Sequence, residues 1–363
     1  MEKFKVFVGS LFFFAFFVGW VTSSPNLRRS AAVIDLNVGA QSLSFYQNKS
    51  IRLIVADSPG TGNDRWARVF AAHLPKHIPG NPTFIVQNVA GAGGRLATNQ
   101  IYSVAKPDGL TVGTPNRYIA IDQLVGYTEI TYDARRFNWI GSPEKGYTIL
   151  AMRADAPYKT IDDIVKAKEP PKCGDQGTSG SGYQMSKLLE ETLGAKFNMV
   201  LGYPGGSEID LAIEKGEVVC RASTIPTHFS REPFLTWHRN KFDRHLVQTG
   251  RKRDPRAPDT PTIYELMDQY KTPQASRRTA QVLLASPEFG YPMIAPPGTP
   301  PELVKILREA YANIVKDPEF LAEVKKLRLD LDPSTGEELE ALAKEVLDQP
   351  SEVVERVRKL SKN

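Results

Sequence analysis

The sequence predicts an α/β protein of two domains, on three observations. Short β-branched runs alternate with glycine-rich turns and amphipathic helical stretches, in a strand, loop and helix unit that recurs along the chain. The chain has 363 residues, more than one hydrophobic core usually organises, with a composition ordinary for a folded protein. No low-complexity tether divides it, so strands crossing between the domains must make the division.

The elements follow in chain order. Lys3 and Lys5 precede an apolar stretch from Val6 to Val21, and small residues stand at Thr22, Ser23 and Ser24. This is the pattern of a secretory signal peptide over residues 1–23, cut after Ser23, with residues 24–47 as a leader; an uncleaved anchor is the competing reading. No cysteine lies near the junction to accept a lipid, so the mature protein is expected to be soluble outside the cytoplasm. Ile51 to Ala56 then read as a strand running into SPGTGND, and Trp66, Val69, Phe70 and Leu74 recur at helical spacing until Pro75 and Pro79. Thr83 to Val86, the loop NVAGAGGR and a helix through Leu96 and Ile101 repeat the unit. Later copies start at Cys173, with the loop GDQGTSGSG and a helix to Gly194, and at Val200 to Tyr203, with PGGS and a helix to Gly216. Such alternation predicts mainly parallel sheets. In the tail, Thr299, Pro300 and Glu302 form an expected capping box before Leu303, Leu307, Ala310 and Ile314. Further helices are expected from Asp317, from Ser334 or Thr335, and from Ser351.

Composition and motifs exclude several functions. The formal charge is +5, or +4 without Glu2, Lys3 and Lys5, too diffuse for a nucleic-acid partner. The basic cluster Arg251 to Arg253 has no interleaved aromatics and reads as a solvated loop. No HExxH motif and no P-loop lysine is present. GTSGS around Ser179 misses the final glycine of a nucleophile elbow, because Ser181 stands there. His73 and His77 have ligand spacing, but Pro75 disturbs the helix that would align them, so they read as surface histidines. His228, His238 and His245 show no ligand spacing, and neither a metal nor a cofactor is expected. Cys173 and Cys220, the only cysteines, leave a disulfide open, since pairing depends on geometry.

What remains is a set of glycine turns leading into helices. A helix N-terminus presents unpaired N–H groups and the positive end of its dipole, so several converging on one cleft would hold a carboxylate without catalytic residues. Their origin in two separate stretches of the chain points to a cleft between domains.

The same residues resemble those of a known family. VADSPGTGNDRWAR, from Val55 to Arg68, is similar to the first ligand loop of Bug-type receptors of tripartite tricarboxylate transporters. Asn88 with Gly91 to Gly94, followed by Pro107, Asp108, Gly109 and Thr111, resembles a stretch characteristic of that family. Further likenesses run in unbroken order through Thr160 to Ala167, Gly177 to Ser181, Tyr203 with Gly205 and Gly206, Gly216 to Val218, Pro258 to Thr262, APPGTPPELV from Ala295, and DPEF from Asp317.

The resemblance implies a bilobed periplasmic-binding-protein (Venus-flytrap) fold. Residues 48–150 and 284–363 would form the first lobe and residues 151–283 the second, with closure about crossing strands near Ala151 and Leu284. Carried over by position, Ser58, Gly60, Thr61, Ala92, Gly93 and Gly94 should contact one carboxylate. Thr178, Ser179 and Ser181 would close on it from the second lobe, with Asn116 and Tyr203 as wall residues; Tyr203 reads equally as a packing residue. Two departures stand out. Thr61 replaces a glycine, and Asp57 occupies the place of an aromatic. Asp57 either faces a solute bearing an amine or hydroxyl, or pairs with Arg65 or Arg95. The implied protein is a monomeric, non-enzymatic periplasmic receptor that delivers a small carboxylate to the transporter's membrane subunits. A sensor presenting the same cleft to a signalling partner, and a secreted α/β hydrolase using Ser179, are the competing functions.

Overall fold

The computed structural model describes residues 45–177, 180–203 and 206–362. The expected signal peptide, most of the leader, Thr178 and Ser179 lie outside the described residues. Local chemistry sets the elements within them. Strand β1 (Ser50–Val55) buries Ile51, Leu53, Ile54 and Val55 completely, as a strand covered on both faces must. Thr61 caps the helix Gly62–His73 by accepting from the Asp64 amide, and a 3₁₀ turn over Leu74–His77 carries Pro75 where the helix stops. His73 is buried, against the surface reading, and meets Glu323 at 2.5 Å.

Two mixed sheets form from β1, β2 (Thr83–Asn88), β3 (Thr111–Thr114), β4 (Asn138–Ser142), β5 (Thr148–Arg153), β6 (Lys172–Gly174), β7 (Asn198–Val200), β8 (Cys220–Thr224), β9 (Asp243–Gln248), β10 (Met293–Ala295) and β11 (Ser334–Thr335). The first has the order β11-β4-β10-β3-β1-β2 and the second β7-β6-β8-β5-β9. Among the strands of the two sheets, parallel pairing joins β1 with β2 and β3, and β6 with β7 and β8. The other neighbours are antiparallel, so the expectation of mainly parallel sheets is corrected. The parallel pairs belong to the repeated strand, loop and helix units. The antiparallel ones involve the strands that flank the passages between sheets, which have no helical crossover of their own.

Those passages are residues 143–147, between β4 and β5, and residues 290–292, after the helix Gln274–Phe289. Ala151 and Leu284, where crossing strands were expected, instead lie inside β5 and inside that helix. The helix bridges the two cores: Val282, Ala285 and Phe289 pack in one, Ala280 and Leu284 in the other. Each passage is tied to the element beside the other, Gly146 N–H donating to the Pro287 carbonyl in the helix at 2.8 Å and Tyr291 N–H to Ser142 Oγ at the end of β4 at 3.0 Å. Gly290, at φ +59°, presses on the Glu144 carbonyl so closely that no Cβ fits.

Cys173 and Cys220 are disulfide-bonded, which settles the question the sequence left open. They are register partners on parallel β6 and β8, with Cα atoms 4.5 Å apart, inside the range a disulfide requires. Among the described residues capping boxes open three helices, at Thr160 with Asp163, Thr262 with Glu265 and Thr335 with Glu338. The one expected at Thr299 is absent, because its hydroxyl donates to the Pro296 carbonyl at 2.8 Å and Pro300 takes the cap position.

Candidate functional site

Three loops leave the C-terminal ends of the parallel strands β1, β2 and β3 and meet at one point. Gly94 brings them together: a Cβ there would sit 2.9 Å from Asn116 Cβ and 3.1 Å from the Ala56 carbonyl. The second loop turns through positive φ at Gly91, Ala92, Gly93 and Gly94 in succession and closes on itself, Gly94 N–H donating to the Gly91 carbonyl at 2.9 Å. Ala92 and Gly93 are exposed there. Asn116 accepts from the Tyr118 amide at 3.1 Å and stays half-buried beside Gly94.

The first loop keeps much of its bonding to itself. Gly60 N–H donates to Asp64 Oδ2 at 2.8 Å, and the Thr61 hydroxyl donates to the Ser58 carbonyl at 2.9 Å. Asn88 Nδ2 spans the Asp57 carbonyl and Asp64 Oδ1, at 3.0 and 2.9 Å. Among the described residues the Asp57 carboxylate accepts only from the adjacent Ser58 amide, at 2.8 Å. Pairing with Arg65 or Arg95 does not occur. Arg65 donates to the Leu327 carbonyl at 2.7 Å, while Arg95 is held by Glu129 at 2.9 Å and Asp122 at 3.4 Å.

On the second sheet, buried Asp175 folds back over the start of the helix Ser181–Leu193. Its carboxylate accepts from the Gln176 amide at 2.6 Å and from the Tyr183 amide at 2.8 Å. Ser181 donates its hydroxyl to the Ala222 carbonyl at 3.1 Å. Tyr203 packs against the cluster of Ile209, Val218 and Phe234. Among the described residues no hydrogen bond or ion pair joins Ser181 or Tyr203 to the first-sheet loops. An internal carboxylate thus sits at both helix starts, which weakens the field that a bound anion would feel there.

Arg117, a residue the sequence reading passed over, supplies a cation instead. It follows Asn116 in the third loop, and its guanidinium lies against Gly146 of the first passage and 5.5 Å from the Tyr291 ring centre. Tyr291 in turn reaches the first loop, its hydroxyl 2.5 Å from where a Cβ on Gly62 would stand. Among the described residues Arg117 makes no ion pair. The signal that could have found it is positional: ligands of open α/β sheets gather at the C-terminal ends of parallel strands, and Pro115 to Tyr118 follow such an end.

Glu144 completes the floor. It is 8% exposed and accepts from the Trp66 indole N–H at 2.8 Å. Burial pushes its carboxyl up to about 7 against that bond, with Asp330 adding to the rise and Arg117 and Arg65 opposing it. Burial likewise raises the Tyr291 phenol. Because the folded state holds the Glu144 proton more tightly than the unfolded chain, this group's contribution is full below pH 4.5 and is lost as pH rises through about 7. Glu144→Gln is therefore expected to match the parent near pH 4.5 and to exceed it above pH 7 by up to roughly 3 kcal/mol. Urea unfolding at the two pH values checks this; an equal difference at both would show that Glu144 does not titrate in the window.

A groove of about 690 Å³ beside β4, lined by Asn138, Arg308, Tyr311 and Glu340 among others, contains none of these residues.

Comparison with known proteins bears on the same site. The profile of the tripartite tricarboxylate transporter family receptor, TctC, matches residues 66–358. A UPF0065 protein encoded in the gbd 5′ region of Cupriavidus necator is 29% identical over 324 residues, 88% of this chain and 90% of its own. A solved TctC solute-binding protein from Polaromonas superposes with a TM-score of 0.67 at 22% identity, covering 87% of this chain and 98% of that one. MatC from Rhodopseudomonas palustris, solved with bound malate, gives 0.55 at 18% identity over 86% and 99% of the two chains. The two structural likenesses show a shared fold.

Proposed function

This chain belongs to the TctC family of tripartite tricarboxylate transporter receptors, whose members are periplasmic solute-binding proteins and not enzymes, and from that premise we propose that it captures a small dicarboxylate between its two sheets and hands it to membrane subunits of such a transporter. The observation that carries the reading is the Arg117 guanidinium beside the three loops, which contacts Tyr291 but makes no ion pair among the described residues. One carboxylate is held by the exposed amides of Ala92 and Gly93 with Asn116, and the other by Arg117, whose fork suits a carboxylate. Residues 48–142 with 293–363, which carry the first sheet, and residues 148–289, which carry the second, act as two lobes. Thr178, Ser179 and Ser181 close from the second lobe about the passages 143–147 and 290–292. The malate in MatC, a protein of the same fold, supports an acid as the solute class. No helix among the described residues is long and apolar enough to cross a membrane.

Asp57 tunes the choice of solute. Its carboxylate is half-buried, paired with no cation among the described residues and close enough to raise the Tyr291 phenol, so it weakens the hold on a dicarboxylate without abolishing it. Asp57→Asn removes a repulsion of about 1 kcal/mol and is expected to raise affinity for simple dicarboxylates about five-fold relative to amino acids, with stability little changed. Calorimetry on malate, succinate, aspartate and glutamate checks it. Unchanged ratios across that panel would remove Asp57 from the selectivity of the site, and absence of binding by all four to the parent protein would remove the dicarboxylate reading.

A further inference from the structure

The second sheet carries a cluster that the solute site does not use. Asp243 and His245 stand two residues apart on β9, so both side chains project to one face of the sheet. The helix Ile225–Ser230 brings His228 to that face and the helix Phe234–Asn240 brings His238. Their sequence spacing follows no ligand motif, because two come from separate helices and two from a strand. In the fold, each offers one ligand atom, and these four atoms all lie within 4.8 Å of one another. His228 Nε2 is 2.8 Å from His245 Nε2 and 3.1 Å from Asp243 Oδ2, which lies 3.5 Å from His245 Nε2 and 3.7 Å from His238 Nε2.

From this geometry we propose that His228, His238, Asp243 and His245 form a binding site for a divalent transition-metal ion of the zinc type. A tetrahedral zinc ion with bonds of about 2.0–2.1 Å sets its ligand atoms about 3.3 Å apart, and the observed separations bracket that distance. Hydrogen bonding inside the cluster does not account for the arrangement. His238 Nε2 and Asp243 Oδ1 are buried and have no hydrogen-bond partner among the described residues, which is costly for polar atoms. The side chains of His228 and Asp243 are 0% and 3% exposed, so the site is built into the fold, while His238 and His245, at 23% and 18%, leave an entry path.

The surrounding chemistry agrees. Ser223 Oγ lies 3.3 Å from His228 Nδ1, an outer contact of the kind that holds the tautomer with Nε2 free to ligate. The Phe229 and Phe234 rings wall the cluster, with Phe234 4.4 Å from His228 and Phe229 4.9 Å from His238 between ring centres. Three imidazoles and one carboxylate select against calcium and magnesium, which take oxygen ligands, and fill a tetrahedron without an open position, so the ion is structural. It would clamp the two helices to β9, the edge strand of the second sheet.

The test uses tag-free full-length mature protein stripped with EDTA, then titrated with Co²⁺ alone and Zn²⁺ alone. The expected result is one equivalent of Co²⁺ with the intense visible bands of tetrahedral coordination, displaced by Zn²⁺, and a rise in Tm on adding Zn²⁺. His238→Ala, which breaks no hydrogen bond of the apo cluster, and His245→Gln should each keep the apo circular dichroism and lose both the bands and the Tm rise. Absence of Co²⁺ and Zn²⁺ binding by the folded parent overturns the proposal. Binding that both variants retain overturns it equally, since the ion would then sit elsewhere. Neither outcome bears on the solute site.

Discussion

Arg117→Met is expected to weaken binding of whichever dicarboxylate the parent protein takes by at least about thirty-fold, while leaving the fold intact. The estimate follows from truncating one partner of a desolvated charge pair, which costs on the order of 2–5 kcal/mol. The internal bonding of the site makes the loss large. Gly60 N–H is already given to Asp64 and the Tyr183 amide to Asp175, so the helix starts have little left to compensate. Methionine keeps the packing against Tyr291 and Gly146 but offers no donor. A second readout separates a binding role from a structural one. Arg117 draws the Glu144 carboxyl down, so its loss should move the pH at which stability declines upward. Calorimetric titration measures the first effect. An affinity within three-fold of the parent would place the anion elsewhere.

Replacing Cys173 and Cys220 by alanine, or reducing their bond, should lower unfolding stability by about 4 kcal/mol, the chain-entropy value for a loop of this length. The bond falls where β6 and β8 pair in register, reinforced by Val219 N–H donating to the Lys172 carbonyl at 2.8 Å. It therefore secures the seam joining β7 and β6 to the rest of the second sheet. β6 leads through Asp175 to Ser181 at the start of the next helix, so affinity for the solute should fall with stability. Urea denaturation with and without reductant checks this; coincident midpoints would mean that strand pairing alone holds the seam.

What the sequence showed and what it hid divide along physical lines. Strands such as β1 and the helices after glycine turns were legible because a short β-branched run and a 3.6-residue period are both local signals. The family resemblance was legible because its loops run in collinear order over most of the chain, and the TctC profile match bears it out. Side chains that fold back were not. Glycines at 60 and 180 advertised free helix starts, yet Asp64 and Asp175 occupy the neighbouring amides, and nothing in their spacing says so. The floor of the site was hidden for another reason. Arg117, Glu144 and Tyr291 come from three distant segments brought together only where the chain passes between sheets. The cysteine pairing depended on β6 lying beside β8 in one particular register, which is a tertiary fact.

The central claim is that the cleft at Gly94, Arg117 and Tyr291 is a receptor site for small carboxylates. Isothermal titration of the mature protein with matched solutes, malate and adipate against their amides and the corresponding diols, tests it most directly. The account predicts saturable one-to-one binding of at least one acid and none of its uncharged counterparts. Saturable binding confined to the uncharged solutes, or acid binding of equal strength in Arg117→Met, would contradict it.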